Sequence, residues 1–199
     1  MAPVKVDPAR VHSFETAAAF EAWLRDHHAS EPEVWIRVPK KHTGLPTVSM
    51  DTAIDAALCW GWIDAIRKSL DDTHFLQRFT PRGAKSVWSQ VNVDKVARLT
   101  AEARMQPVGL AHVEAAKADG RWDRAYSIRG AEPPEDLMQA IDAEPDARRT
   151  WDGLSAQNRF AVIFRLGQLK TEAGRAKRIA ASVDMLKRGE TFHPQKARP

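Results

Sequence analysis

Side chains that could bind a ligand are concentrated in one stretch of the sequence, between residues 60 and 92. The stretch combines indole rings, a carboxylate, several cations and two small polar groups. The candidate residues are Trp60, Trp62, Asp64, Lys68, Arg78, Arg82, Lys85, Ser86, Trp88 and Asn92. Indole rings stack on flat or cationic groups, and guanidinium and ammonium groups bind anions through charge-assisted hydrogen bonds. The stretch therefore predicts a pocket for a small or anionic ligand.

A β-hairpin must position these side chains. Residues 62–69 and 74–80 have the composition of two strands, and the four residues between them have the composition of a turn. This pattern predicts an antiparallel pair. A third strand is predicted at residues 34–38, where β-branched and aromatic side chains follow one another.

Strand geometry places alternate side chains on one face, so Trp62, Asp64, Ile66 and Lys68 should point the same way. With Arg78 on the partner strand, these groups would line one concavity. A second interpretation remains open. The tryptophans could belong to the core, and Asp64 could simply pair with Arg78 or Lys68 across the hairpin.

Other catalytic patterns are weak. Cys59 lies within an apolar run, where a free cysteine usually behaves as a small buried hydrophobic residue. The sequence contains no Gly-x-Ser-x-Gly, phosphate-binding glycine loop or His-Glu-x-x-His motif. We therefore predict no catalytic residue and no cofactor. An enzyme of unknown reaction acting through Asp64 or Cys59 remains the weakest alternative.

The histidines do not indicate a metal site. His27 and His28 are adjacent near a predicted helix end, and a third ligand would have to come from His12 or His42. No spacing in the sequence fixes such a ligand. We therefore interpret the pair as a solvated helix end and predict no metal.

Length and composition exclude several protein classes. The chain has 199 residues, of which 43% are hydrophobic and 28% charged, which suits one medium domain or two small ones. One cysteine cannot form a disulfide framework or a four-cysteine zinc site. No run approaches the roughly 18 apolar residues of a membrane helix, and no secretory signal is visible. We therefore expect a cytoplasmic protein without a transmembrane segment.

Charge is distributed unevenly along the chain. The net charge is +4, but residues 131–158 hold seven acidic and two basic side chains, whereas residues 159–199 hold three acidic and ten basic ones. The basic end could bind nucleic acid or an anionic surface, with Arg175 and Arg178 as weak anion-binding candidates. Alternatively, it could pair with the acidic segment before it, which requires no partner.

Helix boundaries are indicated by capping residues. Ser13, Ser49, Ser155 and Thr171 each precede a segment with helical periodicity, and a side-chain oxygen at that position accepts from a backbone N–H of the first turn. Gly61 stands where a glycine ends a helix.

These elements predict an α+β fold. A small antiparallel sheet, formed by the 34–38 strand and the hairpin, should be covered by helices and followed by a C-terminal helical module. The composition shifts at residues 130–134, which contain two prolines and a glycine. We therefore predict an α+β domain at 13–130 and a helical module at 133–190.

Several short motifs occur in a distinctive order. They are ALCWGWID at 57–64, RFTPR at 78–82, SVWSQVN at 86–92, GLA at 109–111, ADGRW at 118–122, LS at 154–155, RAKRI at 175–179 and ML at 185–186. In this order the chain resembles the YdeI/OmpD-associated family of bacteria, also called bacteriocin-protection proteins, over residues 13–190. The resemblance also leads us to expect a glycine after Asp64, where this sequence has Ala65.

This resemblance implies a cytoplasmic bacterial protein linked to tolerance of bacteriocins or cationic antimicrobial peptides. The helical C-terminal module matches the corresponding module of the family. Together with the hairpin residues, the resemblance predicts a non-enzymatic stress-tolerance protein that binds a small or anionic ligand at the hairpin face. Nucleic-acid or anionic-surface binding and an enzyme of unknown reaction remain the alternatives.

Overall fold

The chain folds into two compact units, Met1–Ala125 and Tyr126–Pro199, in a computed structural model. The structure describes residues 4–127, 130–169 and 171–195. The first unit holds a sheet with helices, and the second unit is built from helices. The predicted α+β class, with a helical C-terminal stretch, is confirmed.

Four strands form the sheet of the first unit. They are β1 (Val11–His12), β2 (Val34–Pro39), β3 (Trp62–Ser69) and β4 (His74–Pro81), in the order β1-β2-β4-β3. The predicted hairpin and its antiparallel neighbour β2 are both present. The sequence did not indicate β1, which runs parallel to β2, because two residues are too few to show a periodic pattern.

A bulge in β3 corrects the predicted alternation of side chains. Asp64 pairs with Phe79, but the next pair joins Arg67 to Gln77, so β3 contains one extra residue between these two positions. An extra residue shifts the following side chains to the opposite face. Lys68 therefore does not share a face with Trp62 and Asp64, and that prediction is wrong.

Four helices accompany the sheet. They are α1 (Ala17–His27), α2 (Met50–Cys59), α3 (Gln90–Ala101) and α4 (Pro107–Ala118), with short 3-10 helices at Pro8–Arg10 and Lys41–Thr43. Ser49 caps α2 as predicted. Thr16, and not Ser13, caps α1. The carbonyl of Phe14 accepts from the N–H of Val48 at 3.0 Å, which holds the chain around residue 13 outside the helix.

The first unit has two hydrophobic clusters. One lies between the sheet and the pair α1 and α2, where Phe20, Leu24, Ile36 and Phe79 are fully buried. The other lies among α2, α3 and α4 and includes Trp88. Helix α2 contributes to both clusters, which explains its run of buried residues from position 56 to position 59, whereas Asp55 is buried beside Lys95 and Arg98.

The second unit packs its helices around one core. They are α5 (Glu135–Asp142), α6 (Pro145–Gly153), α7 (Ala156–Gly167) and α8 (Glu172–Lys187). Leu137, Ile141, Trp151, Leu166 and Leu186 supply the largest buried side chains of that core. The predicted caps of α7 and α8 are confirmed. In the described part of the chain, no helix has the length and apolar character needed to cross a membrane.

Candidate anion-binding site

The ten residues predicted for one hairpin pocket separate into three groups, and the first group belongs to the core side of the sheet. Trp62 is 1% exposed, and its Nε1 donates to the carbonyl of His28 at 3.2 Å. Trp60 caps α2, and its ring lies 4.8 Å from that of His28. Trp62 therefore follows the second interpretation, in which a tryptophan serves packing.

Asp64 also belongs to this first group. It is half-buried, and burial raises its pKa, whereas Arg67 and Arg82 act in the opposite direction. The structure shows neither of the pairings considered from the sequence, because Arg78 and Lys68 have other partners. Residues Ala65 and Ile66 form the bulge after Asp64 without a positive φ, so the glycine expected there is not required.

The second group lies on the other face of the sheet, around Trp35. Arg78 Nε donates to Glu33 Oε2 at 2.6 Å, and Trp35 Nε1 donates to Glu33 Oε1 at 3.2 Å. Lys68 Nζ donates to the carbonyl of Val4 and lies 5.8 Å from the Trp35 ring centroid. Trp35 is fully buried, so this group forms a polar cover over one indole.

The third group follows β4 and contains the buried guanidinium of the first unit. Arg82 is 4% exposed, and its Cζ lies 3.6 Å from the ring centroid of Trp88. Its Nη2 donates to the carbonyl of Val87 at 2.8 Å. Trp88 in turn meets the ring of Trp122 edge to face at 4.9 Å. Stacking between two indoles and a cation fixes the position of this charge.

The remaining members of the third group lie beside Arg82 in the sequence. Lys85 is exposed, and Ser86 is half-buried. The carbonyl of Ser86 accepts from Arg121 Nη1 at 2.8 Å. Asn92 lies in the first turn of α3, where its backbone N–H donates to Ser89 Oγ at 3.2 Å. Asn92 therefore contributes a capped N–H, and Ser89 is the capping residue.

Helix α4 approaches the end of α2 very closely. A Cβ at Gly109 would lie 2.3 Å from the carbonyl oxygen of Cys59, and a Cβ at Gly61 would lie 2.7 Å from Cδ2 of His112. Gly61 also has a φ of +72° and accepts from the backbone N–H of Arg82 at 2.9 Å. These two glycines let α4 lie against the end of α2, so that His112 comes close to Gly61, whose carbonyl accepts from the backbone of Arg82.

Beside this point lies a hollow of about 460 Å³, named here the α4 hollow. Its lining residues are Ala84, Val108, Ala111, His112, Ala115, Asp119 and Arg121. Arg121 Nε donates to Asp119 at 2.7 Å, and its side chain is only 15% exposed. The volume falls in the range of small-molecule sites, and the wall is apolar apart from three ionisable groups.

The pKa of His112 is lowered by its surroundings in the α4 hollow. Burial lowers this pKa, and the positive charges of Arg82 and Arg121 lower it further. The two guanidinium groups disfavour a third positive charge at the imidazole. Arg121 lines the α4 hollow together with its partner Asp119, and Arg82 acts on His112 from beside it. These groups make the α4 hollow a candidate site for an anion.

Two residues of this site were missed from the sequence. His112 was interpreted as isolated, and Arg121 was noted only as part of the ADGRW motif. The available signal was that this motif and the one containing Gly61 each carry a glycine within two residues of a tryptophan, although spacing alone cannot show that they meet. The prediction joined Arg82, Lys85, Ser86 and Trp88 to the hairpin strands, whereas in the structure they follow β4 in the chain and Arg82 stacks on Trp88.

Cys59 does not provide a nucleophile in this structure. Its side chain is fully buried, and burial raises its pKa to about 11. A nucleophilic cysteine needs a lowered pKa and access to the substrate. Among the described residues, no group of three or more His, Cys, Asp or Glu side chains could hold a metal ion.

The basic C-terminal helix is largely paired within its own unit. Arg175 Nε donates to Asp136 at 2.6 Å, and Lys187 Nζ lies 3.0 Å from Glu144. Both carboxylates belong to the acidic segment that precedes the helix. Arg178 is exposed on α8. The pairs agree with the interpretation in which the basic end answers the acidic segment, and Arg175 and Arg178 as anion sites remain predictions.

Comparisons with known families match two successive parts of the chain. Residues 12–112 match a family described as a domain of unknown function, DUF8412. Residues 131–189 match the family described as bacteriocin-protection, YdeI or OmpD-associated. No curated protein and no solved structure matches the chain. The predicted resemblance is confirmed for the C-terminal part, whereas the motifs before residue 112 fall within the other match. The chain therefore belongs to the DUF8412 family and carries a C-terminal domain of the bacteriocin-protection, YdeI or OmpD-associated family.

Proposed function

We propose that this chain is a cytoplasmic bacterial stress-tolerance protein, of the bacteriocin-protection type, that acts by binding a small anion and not by catalysis. The family description of residues 131–189 supports the link to bacteriocin protection. The α4 hollow supports the anion. One observation carries the proposal: Arg121, whose side chain is only 15% exposed, and His112 line the same hollow of about 460 Å³.

The anion is held by groups already fixed in position. Arg121 uses Nε for Asp119 and Nη1 for the carbonyl of Ser86, which orients its Nη2 as a donor outside these bonds. His112 gains a second N–H when it is protonated, and a bound anion favours that form. Val108, Ala111 and Ala115 of α4 add an apolar wall beside these donors.

The proposal differs from the hairpin-face pocket in the position of the ligand. Arg82, Lys85, Ser86 and Trp88 remain at or next to the site. The hairpin residues of the first two groups serve the core and the Trp35 face. This arrangement favours a binding role over a catalytic one because Cys59 is sealed and protonated. Arg121 and, when it is protonated, His112 are suited to attract an anion into the α4 hollow.

Thermal unfolding with inorganic phosphate tests the proposal. Phosphate should raise the Tm of the wild type more than sodium chloride at equal ionic strength, because ligands that bind only the folded state stabilise it. The effect of sulfate, whose charge is the same at pH 6 and at pH 8, should be larger at the lower pH, because His112 gains a second N–H when it is protonated. Comparing the increase in Tm with sulfate and with citrate would then show which size and shape of anion fits the α4 hollow.

Two variants make this test specific. Arg121→Gln should abolish the phosphate-dependent increase in Tm, whereas Arg149→Gln, an exposed residue of α6, should keep it. Phosphate also stabilises proteins in general by exclusion from their surface, and that part is equal in both variants. An increase of the same size in Arg121→Gln, or none in the wild type, would refute the α4 hollow as an anion site.

A further inference from the structure

A groove on the second unit lies between α5 and α8, and we name it the α5–α8 groove. Its volume is about 790 Å³. Short aliphatic side chains form its floor, namely Ala140, Ala143, Ala176, Ile179, Ala180 and Val183. The distance at which helices pack depends on the side chains at their contact. An alanine-rich floor therefore lets another helix lie close to α5 and α8.

Helix α8 supplies the long wall of the α5–α8 groove. Its lining residues recur every three or four positions from Glu172 to Asp184, which is the spacing of one helical face. At 1.5 Å per residue, these two residues are separated by about 18 Å along the axis. The wall is therefore long enough to accommodate about three turns of a docked helix.

Carboxylates mark the edges of the α5–α8 groove. Asp136 is neutralised by Arg175, which holds the pKa of that carboxyl below its usual value, and Glu144 is paired with Lys187. Glu172 and Asp184, at the two ends of the α8 wall, take part in no ion pair within 4.0 Å among the described residues. Lys187 and Arg188 act on Asp184 at longer range. The groove therefore combines an apolar floor with a carboxylate at each end that has no close ion pair among the described residues.

We propose that the α5–α8 groove binds a cationic amphipathic helix of a partner. The partner would present an apolar stripe to the floor and a lysine or arginine to each end, with the two cations about twelve residues apart. Charge complementarity selects this occupant over a neutral or acidic helix, because Glu172 and Asp184 would repel a carboxylate. This proposal is independent of the anion site in the first unit.

Binding of a designed helical peptide to the full chain tests the proposal. The probe is a peptide of about sixteen residues with a leucine and alanine stripe and two lysines about twelve residues apart. Its twin carries glutamate in place of both lysines. Calorimetry should show binding of the lysine peptide, weakening as salt screens the rim charges, and no binding of the glutamate twin.

Three variants locate the binding. Ala180→Gln, at an exposed floor position, should weaken the lysine peptide by at least about tenfold, because its side chain occupies the space of the helix. Glu172→Gln combined with Asp184→Asn should weaken it about fivefold, as expected for exposed pairs. Glu132→Gln, an exposed carboxylate outside the groove, should leave the affinity unchanged. Circular dichroism and Tm establish that each variant is folded.

Equal affinity for the two peptides would refute the charge argument. Unchanged affinity in Ala180→Gln would place binding elsewhere and refute the groove. Sedimentation showing that the chain self-associates through this face, so that Ala180→Gln yields monomers, would assign the groove to a second copy and refute a foreign helix.

Discussion

The α4 hollow of the first unit and the α5–α8 groove of the second differ in how far their cations are exposed to solvent. Arg121, which lines the α4 hollow, has a side chain that is 15% exposed, and Arg82 beside it is 4% exposed. Arg175 in the α5–α8 groove, and Lys187 on the groove carboxylate Glu144, have side chains that are 32% and 40% exposed. Pairing does not separate the two regions, because Arg121 also pairs with Asp119. Enclosed charges retain a strong local field, whereas exposed charges are screened by solvent and salt.

The charge at a site can differ from the net charge of the sequence segment that forms it. Residues 159–199 carry a net charge of +7, more than the +4 of the whole chain, yet the groove formed partly by their helix has a carboxylate at each end. Lys177 and Arg178 do not line the groove. Whether a site is positive or negative depends on which side chains face it and how they are paired. The net charge of a stretch of sequence does not contain this information.

The largest difference between the two units is expected in the free energy of unfolding when one helical glycine of each unit is replaced by alanine. Gly109→Ala forces its Cβ against the carbonyls of Leu58 and Cys59, and we expect it to lower the free energy of unfolding by about 3 kcal/mol. Gly167→Ala meets no atom within 4 Å and should raise that free energy by up to about 1 kcal/mol. Urea unfolding measures both. Equal effects would mean that α4 is not tightly fixed against α2.

An intermediate effect is expected when one arginine of each region loses its charge. Arg82→Met keeps an apolar body on Trp88 but removes the donor to Val87, so the free energy of unfolding should fall by about 2 kcal/mol and the phosphate effect should vanish. Arg175→Met breaks an exposed pair and should cost less than about 1 kcal/mol, with the phosphate effect intact. Denaturant unfolding with and without phosphate separates the two. A phosphate effect that survives in Arg82→Met would contradict the account.

Much of the fold could be predicted because its elements carry strong local patterns. Ser49, Ser155 and Thr171 cap helices where the sequence indicated them, since capping is decided by nearest neighbours. Ser13 was predicted as a cap and Thr16 is observed, because a tertiary hydrogen bond at Phe14 fixes the chain there. The bulge after Asp64 was not predictable either, because alternation assumes an unbroken ladder.

The candidate site was predicted only in part for a related reason. Arg82 and Trp88 are six residues apart, and their contact could be anticipated from proximity in sequence. His112 and Arg121 reach them only because Gly61 and Gly109 let α4 approach α2. The close packing of α4 against α2 depends on tertiary structure and produces no periodic pattern in the sequence.

The smallest expected effect is on the pH dependence of stability. The pKa of His112 is lowered by folding, so the unfolded chain takes up this proton first, and stability should fall as the pH falls below about 6.5. The pKa of Asp136 is also lowered, so its contribution is lost only below about pH 4. His112→Gln should remove the first decline and leave the second. Unfolding measured at closely spaced pH values checks both, and an unchanged profile in His112→Gln would exclude this histidine as the source.

The most direct test of the anion site is an NMR titration of the His112 imidazole with and without phosphate. We expect the pKa to lie below its ordinary value of 6.5 in the free protein and to rise when phosphate binds, because the anion offsets the guanidinium charges. The lysine peptide should leave this pKa unchanged. An identical pKa of His112 with and without phosphate would refute the α4 hollow as an anion site.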